Sequence, residues 1–267
     1  MNLARQLVST EQKGAILVIR LVDSETRNSL TNEFRAQLGA AVARAQSDNQ
    51  IRSVYLTGSG PTFCSGGNLQ ALKNESDPWT VHRRFRRLPQ WLFPLLWLDK
   101  PVVVGVNGHA VGGGMGLALT GDLVIAAESA TFMAGFFRLG VIPDIGMMYH
   151  LPRLIGMARA KKFLFGRGEL SAREAEAWGL VAQVVPDERL EAEGLAEAER
   201  LAAGPTDAMG LAKTLMARSF ETSMLDMFAY EGLGQALAMT SPEYREGLEA
   251  LIARRKPDFP AAGDQQA

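Results

Sequence analysis

The sequence predicts an α/β protein with parallel strands and a helical C-terminal part. Three observations carry this. Short β-branched runs alternate with helical patterns up to about residue 190, which favours parallel pairing with right-handed crossovers. The second and third of these runs each lead into a glycine-rich corner. From Asp187 onward the composition turns helical. The division predicted is a sheet-bearing part over 1–195 and a helical region over 196–267. The 267 residues, 47% hydrophobic and 21% charged, suit one large globular domain or one domain with an appendage.

In chain order, residues 15–20 (AILVIR) read as a strand and 23–30 as a polar loop. Thr31 can cap a helix that carries Glu33 in its first turn. Phe34, Leu38, Ala41, Val42 and Ala45 then repeat at helical spacing and make one apolar stripe. Residues 54–57 are a second strand, ended by Gly58-Ser59-Gly60-Pro61, and 63–69 (FCSGGNL) form the first glycine corner. Residues 102–106 and 123–126 are further strands. Ser171 and Glu174 make a capping box, 181–185 a short strand, and 188–203, 208–218 and 223–238 helices. Ser241-Pro242 opens the last helix, and 263–267 read as frayed.

The densest signal is 101–122 (PVVVGVNGHAVGGGMGLALTGD). Seven of the 17 residues from 105 to 121 are glycine. So much glycine costs backbone entropy, so bare backbone is required there. One reading is a strand that delivers free N–H groups to a helix start, a good place for developing negative charge. The other is a tight turn with close helix–strand packing. Neither G-x-G-x-x-G nor G-x-x-x-x-G-K-[ST] can be read through it, which argues against a dinucleotide or nucleoside-triphosphate site.

Asp144 follows Pro143 and precedes an apolar helical pattern through Ile145, Met148 and Leu151. It is either an N-cap or a carboxylate in an apolar pocket near Phe136, Ile142 and Met147, where desolvation raises its pKa and makes it a better base. Residues 70–98 hold Trp79, His82, Arg83, Arg84, Phe85, Arg86, Arg87, Trp91 and Trp97. They read as a solvated helix face or a contact for an anionic group.

A net charge of −1 offers no field for nucleic acid. The lone Cys64 rules out an internal disulfide framework and suits a reducing compartment. The first ten residues have no long apolar core, and the apolar runs at 91–98 and 102–120 are too short or too interrupted to span a bilayer. A cytoplasmic chain is expected. His82, His109 and His150 lack metal-ligand spacing, so no metal is assigned.

Three ordered segments resemble the enoyl-CoA hydratase/isomerase family, the crotonases. Residues 63–69 resemble its F-x-[AS]-G-x-[DN]-[LIM] motif, and 106–114 (VNGHAVGGG) its N-G-x-A-x-G-G-G motif. Residues 139–144 (LGVIPD), continuing through Leu151-Pro152-Arg153 and Gly156, resemble its third block. The match extends through 172–181 and resumes at Arg255-Lys256-Pro257. The resemblance implies a crotonase-like spiral of repeated ββα units, a C-terminal helical trimerisation region, and a homotrimer or a dimer of trimers. It implies an acyl-CoA thioester substrate with no cofactor beyond the coenzyme A that substrate carries.

It also implies an oxyanion hole from the amides of Gly67 and Gly113. Ser65, Gly66, Asn68, Leu69, Gly112, Phe136 and Pro143 then fall around the substrate. Arg27 and Asn28 fall where the family commonly meets the CoA nucleotide, and Lys256 and Phe259 in a tail that reaches CoA in relatives.

The departures matter as much. The two glutamates that hydratases of the family use fall at Gly116 and Phe136, neither able to move a proton. Asp144 falls where some family isomerases keep their base. The expectation is therefore double-bond isomerisation with Asp144 shuttling one proton. Three alternatives stay open: a hydratase whose water is placed by other groups, an Asp144 nucleophile as in aryl-CoA dehalogenases with His82 as basic partner, and an acyl-CoA- or RNA-binding scaffold without turnover. The near-neutral charge disfavours RNA.

Overall fold

A computed structural model describes residues 5–73 and 77–263. Of the stretch expected to fray, 264–267 lie outside the described residues, and Gly263 closes the last helix.

The chain opens with a hairpin, β1 (Val8–Lys13) and β2 (Ile16–Leu21), turning on Gly14 at φ 58°. Helix α1 (Asn32–Ser47) follows, its start fixed by the Thr31 hydroxyl accepting from the Phe34 amide at 3.1 Å. The predicted stripe of Phe34, Leu38, Ala41, Val42 and Ala45 is its buried face. Then come β3 (Ser53–Gly58), β4 (Thr62–Cys64), α2 (Leu69–Lys73), α3 (Pro78–Phe85) and α4 (Phe93–Leu96). The middle of the chain holds β5 (Val102–Val106), β6 (His109–Val111), α5 (Gly113–Ala118), β7 (Leu123–Ala127) and β8 (Thr131–Met133). After a 3₁₀ turn at Phe136–Leu139 runs α6 (Met147–Phe165), bent where Gly156 takes φ 77°. The remainder is β9 (Glu169–Ser171), α7 (Ala172–Trp178), β10 (Gln183–Val185), α8 (Leu190–Ala202), α9 (Thr206–Met216), α10 (Met224–Ala238), α11 (Pro242–Ile252) and α12 (Phe259–Gly263).

Each central ββ pair divides itself between two sheets. β3, β5 and β7 lie in a six-stranded sheet ordered β1-β2-β3-β5-β7-β10, while β4, β6 and β8 lie in a four-stranded sheet ordered β4-β6-β8-β9. All pairings are parallel except β1 with β2 and β8 with β9. This is the ββα spiral that the resemblance implies. Both glycine corners sit at ends of the smaller sheet, at the close of β4 and at the step from β6 into α5.

The larger sheet carries the core. Tyr55 of β3 is fully buried, and a Cβ on either Gly105 of β5 or Gly194 of α8 would overlap its ring, so both glycines exist to admit it. Arg52 ties the helical part to the sheet. Its Nε donates to the Ala202 carbonyl at 2.8 Å, and its Nη2 donates to the Gly204 carbonyl at 2.8 Å and to Glu243 at 2.9 Å.

Some elements differ from the sequence reading. β1 is an additional strand, an edge with only Val8 buried, so its sequence lacks a strong alternating signal. β4, β6, β8 and β9 have three residues each, too few for a period to show. Asp144 is not a helix cap: α6 begins later, with Gly146 at the N-cap and no side chain capping it. Ile142, expected beside Asp144, is 72% exposed.

Candidate active site

The site begins with a loop bolted to the end of β4. Arg27 and Asn28 both take φ 57°, a left-handed pair that asparagine tolerates and arginine rarely adopts. The buried Asn28 amide holds this turn. Its Nδ2 donates to the Thr62 and Phe63 carbonyls at 2.9 and 3.0 Å, while its Oδ1 accepts from the Asp23 amide at 2.8 Å. Its side chain is thus committed to the protein, while Arg27 stays exposed. Ser65 is committed in the same way: its amide donates to the Arg27 carbonyl at 3.0 Å and its hydroxyl to the Thr26 carbonyl at 3.0 Å. The Gly66 carbonyl accepts from the Leu30 amide at 2.8 Å.

These bonds press the first glycine corner onto the second. Gly66 takes φ 76°, and a Cβ there would lie 2.5 Å from the Val111 carbonyl and 3.0 Å from the Gly113 amide nitrogen. No side chain fits between the corners. Gly114 packs as closely on the Cys64 carbonyl, and Gly112 enters the corner at φ 53°. As the first residues of α5, Gly113 and Gly114 have no carbonyl one turn earlier to accept from their amides. Gly67 and Leu69 are exposed at the rim, and Asn68 is half-buried, with its Oδ1 accepting from the Ala71 amide at 3.0 Å.

The third segment closes over α5. Pro143 is buried, Asp144 half-buried and Ile145 buried. A Cβ on Gly113 would stand 2.9 Å from Leu30 Cδ1, 3.0 Å from Ile145 Cγ1 and 3.6 Å from Asp144 Oδ1. Asp144 thus faces the second glycine corner. No side chain among the described residues hydrogen-bonds its carboxylate. Burial pushes its pKa up from the ordinary 3.8, and the positive charges of Arg84 and then Arg35 oppose that rise. A raised carboxylate that keeps a partial cationic field is a group able to take up a proton and release it.

Phe136 roofs the same corner, its Cζ 3.7 Å from the point a Gly112 Cβ would occupy. Met147, expected close by, is buried at the head of α6. Phe137, by contrast, is 46% exposed and pairs with Phe165. The tail residues Lys256 and Phe259 stand apart from this cluster. Lys256 is exposed, and Phe259 packs its ring 3.4 Å from where a Gly247 Cβ would project on α11. Cys64 is fully buried with its thiol pushed up to about 12, so it is unreactive.

Two contributors escaped the sequence reading, Ile145, whose left-handed backbone follows Asp144, and the cation Arg35; Arg84 was named only as one of a charged cluster, without Asp144 as its partner. The charge-rich segment holding Arg84 was a visible signal. Nothing marks a β-branched residue for positive φ.

A sequence profile of the family described as enoyl-CoA hydratase/isomerase matches residues 11–262. The chain is 39% identical over 262 residues to a 1,2-epoxyphenylacetyl-CoA isomerase of Escherichia coli K12, covering 95% of this chain and 97% of that one. It is 36% identical over 253 residues to a probable enoyl-CoA hydratase of Rhodobacter capsulatus, covering 93% and 96%. It superposes with TM-score 0.90 and 33% identity on the crystal structure of an enoyl-CoA hydratase/isomerase from Cupriavidus metallidurans CH34, covering 96% and 97%.

Proposed function

This chain belongs to the enoyl-CoA hydratase/isomerase family, and from that premise we propose that it isomerises the double bond of an enoyl-CoA thioester with Asp144 as the single proton carrier. One observation carries the reading: Asp144 is the carboxylate set against Gly113, while the positions matching the hydratase glutamates hold Gly116 and Phe136. Hydration needs groups to hold and deprotonate water and to protonate carbon. A 1,3-proton transfer needs one base that becomes the acid.

In the proposed reaction the thioester oxygen lies between the amides of Gly67 and Gly113. The Asp144 carboxylate takes a proton from C2 of a 3-enoyl thioester, and the electron pair delocalises through the carbonyl onto the thioester oxygen and through the C3–C4 double bond onto C4, as a dienolate. The two amides stabilise that oxygen; one such donor is worth roughly 2.7–4 kcal/mol. The protonated Asp144 then returns the proton at C4, the double bond moves to C2–C3, and the carboxylate is regenerated. Phe136, Gly112 and Pro143 enclose the acyl group, Gly66 supports the amide of Gly67, and Asn68 and Leu69 form the rim. The exposed Arg27 supplies a cation for the CoA phosphates, with Lys256 a second one brought from the tail. Asn28 and Ser65 serve by holding the loop. The chemistry uses no cofactor beyond the substrate's coenzyme A.

The helical tail serves oligomerisation in this proposal. Met216, Phe220, Met224, Leu225, Leu233 and Leu237 on and between α9 and α10 are each more than 60% exposed, an apolar area of the kind that marks a protein–protein interface. A homotrimer, or a dimer of trimers, accounts for it. Among the described residues no helix is long and apolar enough to cross a membrane. A cytoplasmic location fits the lone buried thiol.

The test is product analysis with 3-enoyl-CoA and 2-enoyl-CoA. The proposal expects migration of the double bond between C3 and C2, abolished in Asp144→Asn with folding intact. Rapid 3-hydroxyacyl-CoA formation from the 2-enoyl substrate would make the chain a hydratase instead. Acyl-CoA binding with no turnover of either would make it a scaffold.

A further inference from the structure

Ile145 is buried, β-branched and at φ 49°. An L-residue pays for the left-handed region, a β-branched one most, and such strain persists only where its surroundings over-determine it. The surroundings here are the bare face of α5. Gly113 and Gly116 are three residues apart and share one side of that helix. A Cβ on Gly116 would meet the Ile145 carbonyl oxygen at 2.6 Å, its Cβ at 2.9 Å and its Cγ2 at 3.1 Å, while a Cβ on Gly113 would meet Ile145 Cγ1 at 3.0 Å. Ile145 therefore lies directly on the helix backbone. Gly146 follows at φ 78°, so two successive left-handed residues reverse the chain before α6 begins at Met147.

We propose that Gly116 is a positioning residue: its bare backbone seats the Ile145 peptide in the left-handed conformation, and that seat holds the Asp144 carboxylate over Gly113. The proposal deepens the isomerase reading and rests on Asp144 being the proton carrier. It gives the missing side chain at 116 a constructive role. That position does not merely lack a hydratase acid; it is filled by the main chain that carries the base. The contact on Gly116 is with a backbone carbonyl, not the far end of a flexible side chain, so an added methyl must move the 144–145 segment or α5 itself.

Gly116→Ala, Ile145→Gly and Asp144→Asn test it, with kcat, KM and acyl-CoA binding stoichiometry measured on the full-length protein. Gly116→Ala is expected to lower kcat per binding-competent site about a hundredfold, the scale of a 1 Å misplacement, with KM within about twofold of wild type. Ile145→Gly relieves the backbone, serves where Gly116→Ala fails to fold, and frees the peptide after Asp144. It is expected to lower kcat in the same direction, again with little change in KM. A purely structural role would reduce melting temperature and the fraction of competent sites while leaving kcat per site at wild type. If Asp144→Asn is inactive while Ile145→Gly, and Gly116→Ala where it folds, keep wild-type kcat per site, the positioning role is wrong and the base assignment stands. If Asp144→Asn turns over normally, the isomerase reading itself falls, and the positioning role with it.

Discussion

The Asp144 carboxylate and Gly113 face each other so closely that a methyl group on the glycine would come within 3.6 Å of Asp144 Oδ1. In the proposed reaction the two act together, one as the base and the other as a backbone donor. That proximity gives each group a measurable consequence.

Asp144 should cost the fold stability at neutral pH. Its folded-state pKa is raised by burial, so the folded chain holds that proton more tightly than the unfolded chain does. The stabilising contribution is complete below the unfolded value, near 3.8, and is lost as pH rises through the folded value. Asp144→Asn removes the ionisation. Its melting temperature should exceed that of wild type at pH 7–8, and the gap should close as the pH approaches 3.8. A variant that is inactive and less stable at every pH would contradict this.

Arg84 should set the acid limb of activity. Its charge is the largest influence opposing the upward shift of Asp144, ahead of Arg35. The base must be ionised in the free enzyme, so kcat/KM falls on the acid side as Asp144 protonates. Arg84→Gln should move that limb to higher pH, and Arg35→Gln should move it the same way by less. A pH–rate profile of each variant checks the order.

Restoring the two hydratase acids should not create a hydratase. Glutamate at 116 would have to leave the helix through the volume held by the Ile145 carbonyl. The double variant Gly116→Glu/Phe136→Glu should lose isomerisation by displacing Asp144 and should form no 3-hydroxyacyl-CoA above background. Efficient hydration by that variant would show that the 144–145 segment yields readily.

Gly194→Ala probes the core independently of the site. Its methyl would overlap the Tyr55 ring, and overpacking of this kind costs about 1–3 kcal/mol. A lower midpoint in denaturant with unchanged kcat per folded molecule is expected.

The parts of the fold visible in sequence were those with a period or a special backbone demand. The α1 stripe was legible because five buried residues share one face, and the Ser171–Glu174 capping box because both its bonds are local. The two glycine corners were visible as composition, and their contact explains that composition: Gly66 packs on Gly113, and Gly114 on the Cys64 carbonyl. The three-residue strands of the smaller sheet were invisible, since three residues carry no readable alternation. Asn28 was placed at the ligand by resemblance, yet its amide is spent holding its own loop. Asp144 was legible as an acid in apolar company, but the choice between a helix cap and a residue outside the helix was not. That depends on left-handed geometry at Ile145, which no isoleucine advertises.

The most direct measurement follows one hydrogen. A 3-enoyl-CoA carrying deuterium at C2 is turned over in ordinary water, and the product is examined at C4. A single carboxylic acid that takes the deuteron and returns it before exchanging with solvent leaves part of the label at C4, and Asp144→Asn abolishes both the transfer and the turnover. Product with no deuterium at C4, formed as fast by the asparagine variant as by the wild type, would contradict a proton carried by Asp144.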